Sequence, residues 1–255
     1  MEEITDYKLV LDTAVLAGQT MLQNGAEIHR VEDTIYRILK VSHLKTAEAY
    51  VTPTGLIVTL DDPKVDSMTV VKRIETRGTN LSKIAVVNDI SRKFCSGEIG
   101  LKEAFHELKH METEKYTDWQ KYFCQVLVAV SFAVLLGGSF ADAAGAGIAG
   151  ACMSLVLYFC RKIGLNHFLQ LLLASTVICI TAYAVSQVRR LGVRMDMVII
   201  GGIMPIVPGA ALTTAVRDTL QGNYVAGGAK VLEAFVSAAA IAAGVALGMM
   251  LTGGV

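Results

Sequence analysis

Pro205 and Pro208 lie three residues apart in the apolar segment MVIIGGIMPIVPGAALTTAVRD, beside Gly201, Gly202 and Gly209. Thr213, Thr214, Arg217 and Asp218 follow in the same segment. Proline removes a backbone donor and clashes with the preceding turn, so a helix through this segment should kink or break. A second half-helix then starts at Gly209 and Ala210. Its N–H groups and positive dipole end can bind an anionic group such as a carboxylate. Thr213 and Thr214 lie just inside it as neutral donors. Arg217 would sit near the mouth of a path and attract anions, with Asp218 beside it. A packing kink with charged anchors at its end fits the same residues.

A second set of candidates lies near the N-terminus. Residues 6–23 read as a helix, and Asn24 can cap another over about 25–42, with Glu27 as its capping-box partner. The second helix buries Ile28, Val31, Ile35, Ile38 and Leu39 and carries Glu27, Arg30, Asp33 and Arg37 on its opposite face. Such ladders are solvated salt-bridge faces in most helices. Glu32 lies close to the apolar stripe, so it should be partly buried and need a partner. Glu233, entering the last apolar segment, is either an anchor, a proton carrier or a partner for Arg217.

His106-Glu107-Leu108-Lys109-His110 matches the HExxH pattern of zinc proteases. Leu101, Ala104, Phe105, Leu108 and Met111 would form the buried face of that helix, which turns both histidines to solvent. A zinc site needs a cleft with a third ligand and a supporting shell, and the downstream candidates, such as His167 and Glu233, lie at membrane boundaries, so no metal is expected. No cofactor is implied either, and the chain contains no GxxxxGK[ST] nucleotide loop. The five cysteines form no CxxC pair and read as reduced, small apolar residues.

Positioning these groups falls to two unlike regions. Of the 46 charged residues, 35 lie in the first 121 positions and 11 in the last 134. Five uncharged stretches follow: 122–141, 143–160, 163–188, 197–216 and 234–255. A helix needs about 20 residues to cross a bilayer core. The expected architecture is therefore an α-helical membrane domain of five transmembrane helices (121–255), preceded by a small α+β cytoplasmic domain (1–120). In that first domain two helices precede a hairpin around Thr52-Pro53-Thr54-Gly55 and a third strand, SMTVVKRIE. A helix from Asn80 to Gly97 and another over about 100–118 complete it. In the second stretch Gly145, Gly147 and Gly150 predict close helix–helix contacts.

The chain begins MEEITDYK, acidic and amphipathic, which favours a cytoplasmic N-terminus. With the N-terminus inside, Lys115, Lys121, Arg161, Lys162, Arg217 and Lys230 fall on the cytoplasmic side, and Arg189, Arg190 and Arg194 outside. Val255 would then also lie outside. The three outer arginines are either a tolerated exception or face an anionic substrate or a partner subunit. No basic stripe or aromatic platform supports nucleic-acid binding.

Taken together, NGAEIHRVEDTI, TPTG, TRGTNLSKIAVVNDISR and GGIMPIVPGAALTTAVRDTLQGNYVAGGAKVLEA resemble the threonine/serine exporter (ThrE) family along essentially the whole chain. With five expected spans, the chain looks like the YjjP-type subunit of the split form, whose partner is a smaller YjjB-type membrane subunit. The resemblance implies a non-enzymatic inner-membrane protein that exports small carboxylate-bearing metabolites: threonine and serine in fused members, succinate in the split form. Carried over, its motif residues are Gly25, Glu27, Arg30 and Glu32, then Pro205, Pro208, Gly209, Arg217 and Asp218. Five spans also cannot form an inverted pair within one chain, whereas a second odd-spanned subunit of opposite orientation completes one. Proton coupling is the expected energy source. The rival readings are a membrane-tethered hydrolase built on the HExxH segment and a non-transporting assembly subunit.

Overall fold

In the computed structural model, which describes residues 6–75, 78–111, 116–188 and 192–253, apolar residues at helical spacing drive the first two elements together. These are α1 (Tyr7–Gln23) and α2 (Ile28–Lys40). Val10, Leu11, Ala14 and Met21 share one core with Val31, Ile35, Ile38 and Leu39. Asp6 caps α1 by accepting from the Leu9 N–H. Contrary to the sequence expectation, Asn24 does not cap α2. It ends α1, and its side-chain amide donates to Thr20 O. Gly25 takes φ 87°, and the Ala26 N–H returns to Met21 O. This left-handed cap satisfies the last carbonyls of α1 and delays α2, leaving Glu27 at its N-cap position.

Three strands follow, β1 (Thr46–Thr52), β2 (Gly55–Asp62) and β3 (Val65–Arg73), paired antiparallel in the order β1-β2-β3. Side chains alternate across a strand. Leu56, Val58 and Leu60 of β2 are therefore buried in the core, while Ile57 faces out. Next comes α3 (Leu81–Ser96), capped by Asn80, whose side chain accepts from the Lys83 N–H, and closed by Gly97. Then α4 (Leu101–Lys109) buries Ala104 and Leu108. The helix expected over 100–118 thus stops at Lys109. A separate capping box, Thr117 with Gln120, starts the next one.

The later elements are α5 (Asp118–Leu135), α6 (Phe140–Ile163), α7 (His167–Ser186), α8 (Met195–Ile203), a 3-10 turn (Met204–Ile206), α9 (Gly209–Leu220) and α10 (Tyr224–Thr252). On length and apolar composition, α6, α7 and α10 can each cross a membrane. The segment Met195–Ile206 and α9 qualify together as one bent pair, with 55° between them. That makes three spans, or four with the bent pair; the expected five goes beyond this. The shortfall is α5. Gly137 takes φ 91° and Ser139 caps α6, so the stretch expected to run over 122–141 ends at Leu135.

The chain divides into two compact units, Met1–Glu114 with Thr213–Lys230, and Lys115–Leu212 with Val231–Val255. In the first, Ala226 joins the core built by the N-terminal helices and β2. In the second, small residues bring helices close, as the sequence predicts. A Cβ on Gly201 would lie 2.9 Å from Ala129 O, and one on Gly150 3.1 Å from Ala129 Cβ.

Candidate functional site

Glu27 and Arg217 are separated by 190 positions and form an ion pair within the first unit. The backbone explains both placements. The left-handed cap at Gly25 sets Glu27 at the start of α2. Meanwhile the segment 213–230 packs into the same unit through buried Ala226. Glu27 is 15% exposed, whereas Arg217 is 61% exposed, so the carboxylate is shielded and the guanidinium is open to solvent. The next residue, Asp218, is fully buried and accepts from Lys230 Nζ at 2.7 Å. Its other oxygen, Oδ1, is buried and makes no hydrogen bond among the described residues. The His29 Nδ1 is in the same condition, 3.6 Å from Glu27 Oε2. Two acids, two bases and an imidazole are thus held in one unit by two ion pairs.

Glu32 accepts from the Val51 N–H at 3.1 Å. Burial raises its pKa above the ordinary carboxylate value. That hydrogen bond and the attraction of His29 pull the other way. The expected ladder is only partly made: Asp33 pairs with Arg37, both well exposed, while Glu27 pairs with Arg217. Arg30 is exposed. A cleft of about 160 Å³ lies near this edge, between Tyr50, Val51 and Thr52 of β1 and residues 222–226.

The proline segment breaks as its composition predicts. Val207 is extended, with ψ 131°, the conformation that a following proline imposes. Pro208 leads directly into α9. The first turn of α9 is partly satisfied from within the chain, however. The Gly209 N–H donates to Val207 O and the Leu212 N–H to Pro208 O. Glu233 is exposed on α10.

Among the outer arginines, Arg189 and Arg190 lie outside the described residues, as do Lys115 and Val255. Arg194 has an internal role. Its backbone N–H donates to Asp142 Oδ1 at 2.6 Å, its Nε and Nη2 donate to Oδ2, and Nη2 also reaches Gly137 O. Asp142 is fully buried and also accepts from the Ser139 N–H. Arg194 is therefore half of a structural clamp, which supports the tolerated-exception reading for this residue. The sequence held a signal: Asp142 is the single charge separating two apolar stretches.

His106 and His110 are exposed, with rings 4.2 Å apart, and the described residues contain no cluster that could hold a metal ion. An apolar groove of about 470 Å³ in the second unit is lined by Trp119, Tyr122, Phe123 and Tyr158. Its serine, Ser154, donates to Gln125 and to Gly150 O, and the lining carries no cation for a carboxylate.

The family model for threonine/serine exporters matches residues 12–252. The chain belongs to the threonine/serine exporter family. A probable threonine/serine exporter of Mycobacterium tuberculosis is 23% identical over 250 residues, covering 94% of this chain and 46% of that protein. An uncharacterized protein of Schizosaccharomyces pombe is 20% identical over 257 residues, covering 98% of this chain and 31% of that protein. The chain thus spans less than half the length of these relatives. No solved structure matches it. Within this family member, two residues from each of two distant motifs come together: Glu27 and His29 near Arg217 and Asp218. Sequence reasoning singled out Glu27, Arg217 and Asp218 but gave His29 no role. Lys230, counted there among the cytoplasmic-side cations, is the direct partner of Asp218.

Proposed function

We propose that the chain is a subunit of a secondary transporter that exports small carboxylate-bearing metabolites, succinate-like dicarboxylates or threonine and serine, across the inner membrane. Pro205 and Pro208 interrupt the fourth of five spans. The substrate carboxylate is then received along α9, with its helix start at Gly209 and Ala210 supplying favourable dipole and Thr213 or Thr214 a hydroxyl. Arg217 gathers the anion at the cytoplasmic mouth, and Asp218 is held beside it by Lys230. Glu27, Arg30, Glu32 and Glu233 stand as further coupling or structural groups. The domain of residues 1–120 lies in the cytoplasm, and a second membrane subunit of the YjjB type completes the path.

The observation that carries this reading is the bent helix pair with Arg217 on its second half, in a chain of this family. A carboxylate needs a cation or oriented N–H groups, and Arg217 supplies the cation on this segment. The test is counterflow in liposomes containing both subunits, with labelled succinate, threonine and serine. One of the three should exchange, and Arg217→Gln should raise its apparent KM more than it lowers the maximal rate. Exchange of none of them by the folded pair would defeat the proposal.

A further inference from the structure

We infer that Glu27 is an internal competitor that sets the affinity of anion capture, because its carboxylate occupies the guanidinium that an exported carboxylate needs. The inference rests on Arg217 acting as proposed above. Glu27 presents to Arg217 the same chemical group that the substrate would present, and the pair is closed in this structure. A substrate carboxylate must therefore displace Glu27 or share Arg217 with it, and the strength of the internal pair sets the apparent affinity.

A second observation points to what adjusts that strength. Arg217 bonds Oε1 of Glu27, and the His29 Nδ1 faces the other oxygen, Oε2, at 3.6 Å. That nitrogen is shielded from solvent and makes no hydrogen bond among the described residues. A buried polar atom without a partner is costly, so it gains from donating a proton to Glu27. An Nδ1–H can donate in the neutral tautomer and in the imidazolium alike. As an imidazolium, His29 also gives Glu27 a second cation and loosens its hold on Arg217. Several of the remaining charged groups nearby have partners of their own. On α2, Glu32 accepts from Val51, Asp33 holds Arg37, and Arg30 is exposed. Asp218 of α9 holds Lys230 of α10, and β1 contributes the Tyr50 phenol near the α9–α10 connection. The helices packed on α2 carry Lys8 with Asp12 and Asp89 with Lys93, each pair closed on itself.

The experiment measures apparent KM for the exchanged substrate between pH 5 and 8, the interval in which imidazoles titrate, in liposomes holding the complete transporter. In the parent protein KM should fall about two- to five-fold toward low pH, the scale of a partly exposed charge pair. Glu27→Gln should lower KM by a similar factor at pH 8 and flatten the profile. Glu27→Asp, a gentler change, should move KM in the same direction by less. His29→Gln should keep the parent's KM at pH 8 and lose the fall at pH 5. A raised KM in folded Glu27→Gln, or an unchanged pH profile in it, overturns the inference even if Arg217→Gln behaves as proposed. An unchanged KM in Arg217→Gln overturns the functional reading itself, and this inference with it. A ligand-induced thermal shift with succinate and threonine reads the same order of affinities without transport.

Discussion

Glu32 and Asp33 are neighbours on α2 with different surroundings. Asp33 reaches Arg37 across one exposed turn, and such pairs contribute a few tenths of a kcal/mol. Glu32 turns toward β1 and satisfies the Val51 N–H. Glu32→Ala should therefore lower the melting temperature clearly and Asp33→Ala barely, and equal losses would mean the two faces are assigned wrongly. Glu32→Gln separates hydrogen bond from charge. Burial raises the Glu32 pKa, so this group favours the folded state below its unfolded pKa, and that contribution is lost as pH rises through the folded value. Gln keeps an acceptor for Val51 without the buried charge. Its melting temperature relative to the parent should rise from pH 4 to pH 7, and a falling difference would contradict the role given to burial. The helical angle of Glu32 was legible from the apolar stripe. Its partner was not, because β1 lies 19 residues away and periodicity says nothing about which strand covers a helix.

Among the elements, the broken helix was the most legible, since proline chemistry is local: an absent N–H and an extended preceding residue follow from residue type alone. Asp6 on α1, Asn80 on α3 and the Thr52–Gly55 turn are equally local. The errors came where a local signal competed with another. Asn24 can cap either neighbour, and the left-handed Gly25 decided for α1. Gly137 and Ser139 looked like small residues inside a span, yet they end one helix and cap the next. Nothing in the apolar pattern reveals that residues 213–230 belong with the N-terminal unit, because the Glu27–Arg217 pair and buried Ala226 are contacts across nearly the whole chain. The break itself makes a prediction. Replacing Pro205 and Pro208 together by alanine restores two backbone donors and lets one continuous helix form. Transport should be abolished while the melting temperature holds or rises. A double variant that still exchanges substrate at the parent rate would show the bend to be packing alone.

For the whole molecule, the open question is the number of crossings, because parity decides where the chain ends. From Tyr122 to Leu135, α5 offers 14 residues free of charge, about 21 Å at 1.5 Å per residue, against a core of about 30 Å. Crossing requires local thinning, or burial of Trp119 and Tyr122 at one interface and the Leu135–Gly138 turn at the other. Both are physically reasonable for a helix with aromatic residues at its start. The charge pattern favours a cytoplasmic N-terminal domain. Matching Arg194 with buried Asp142 removes one of the three charges that oppose it. Five crossings then leave Gly253 outside, and four leave it inside with α5 lying along the membrane surface. A protein keeping Cys95 alone among its native cysteines, with Gly253→Cys added, tests this directly with a membrane-impermeant thiol reagent. Cys95 should react only from the cytoplasmic face and position 253 only from the opposite one. Reaction of both from the cytoplasmic face would install four spans. It would also remove the odd parity on which an inverted pairing with a second odd-spanned subunit depends, so the geometry of any partner would have to be argued afresh from the second unit's exposed faces.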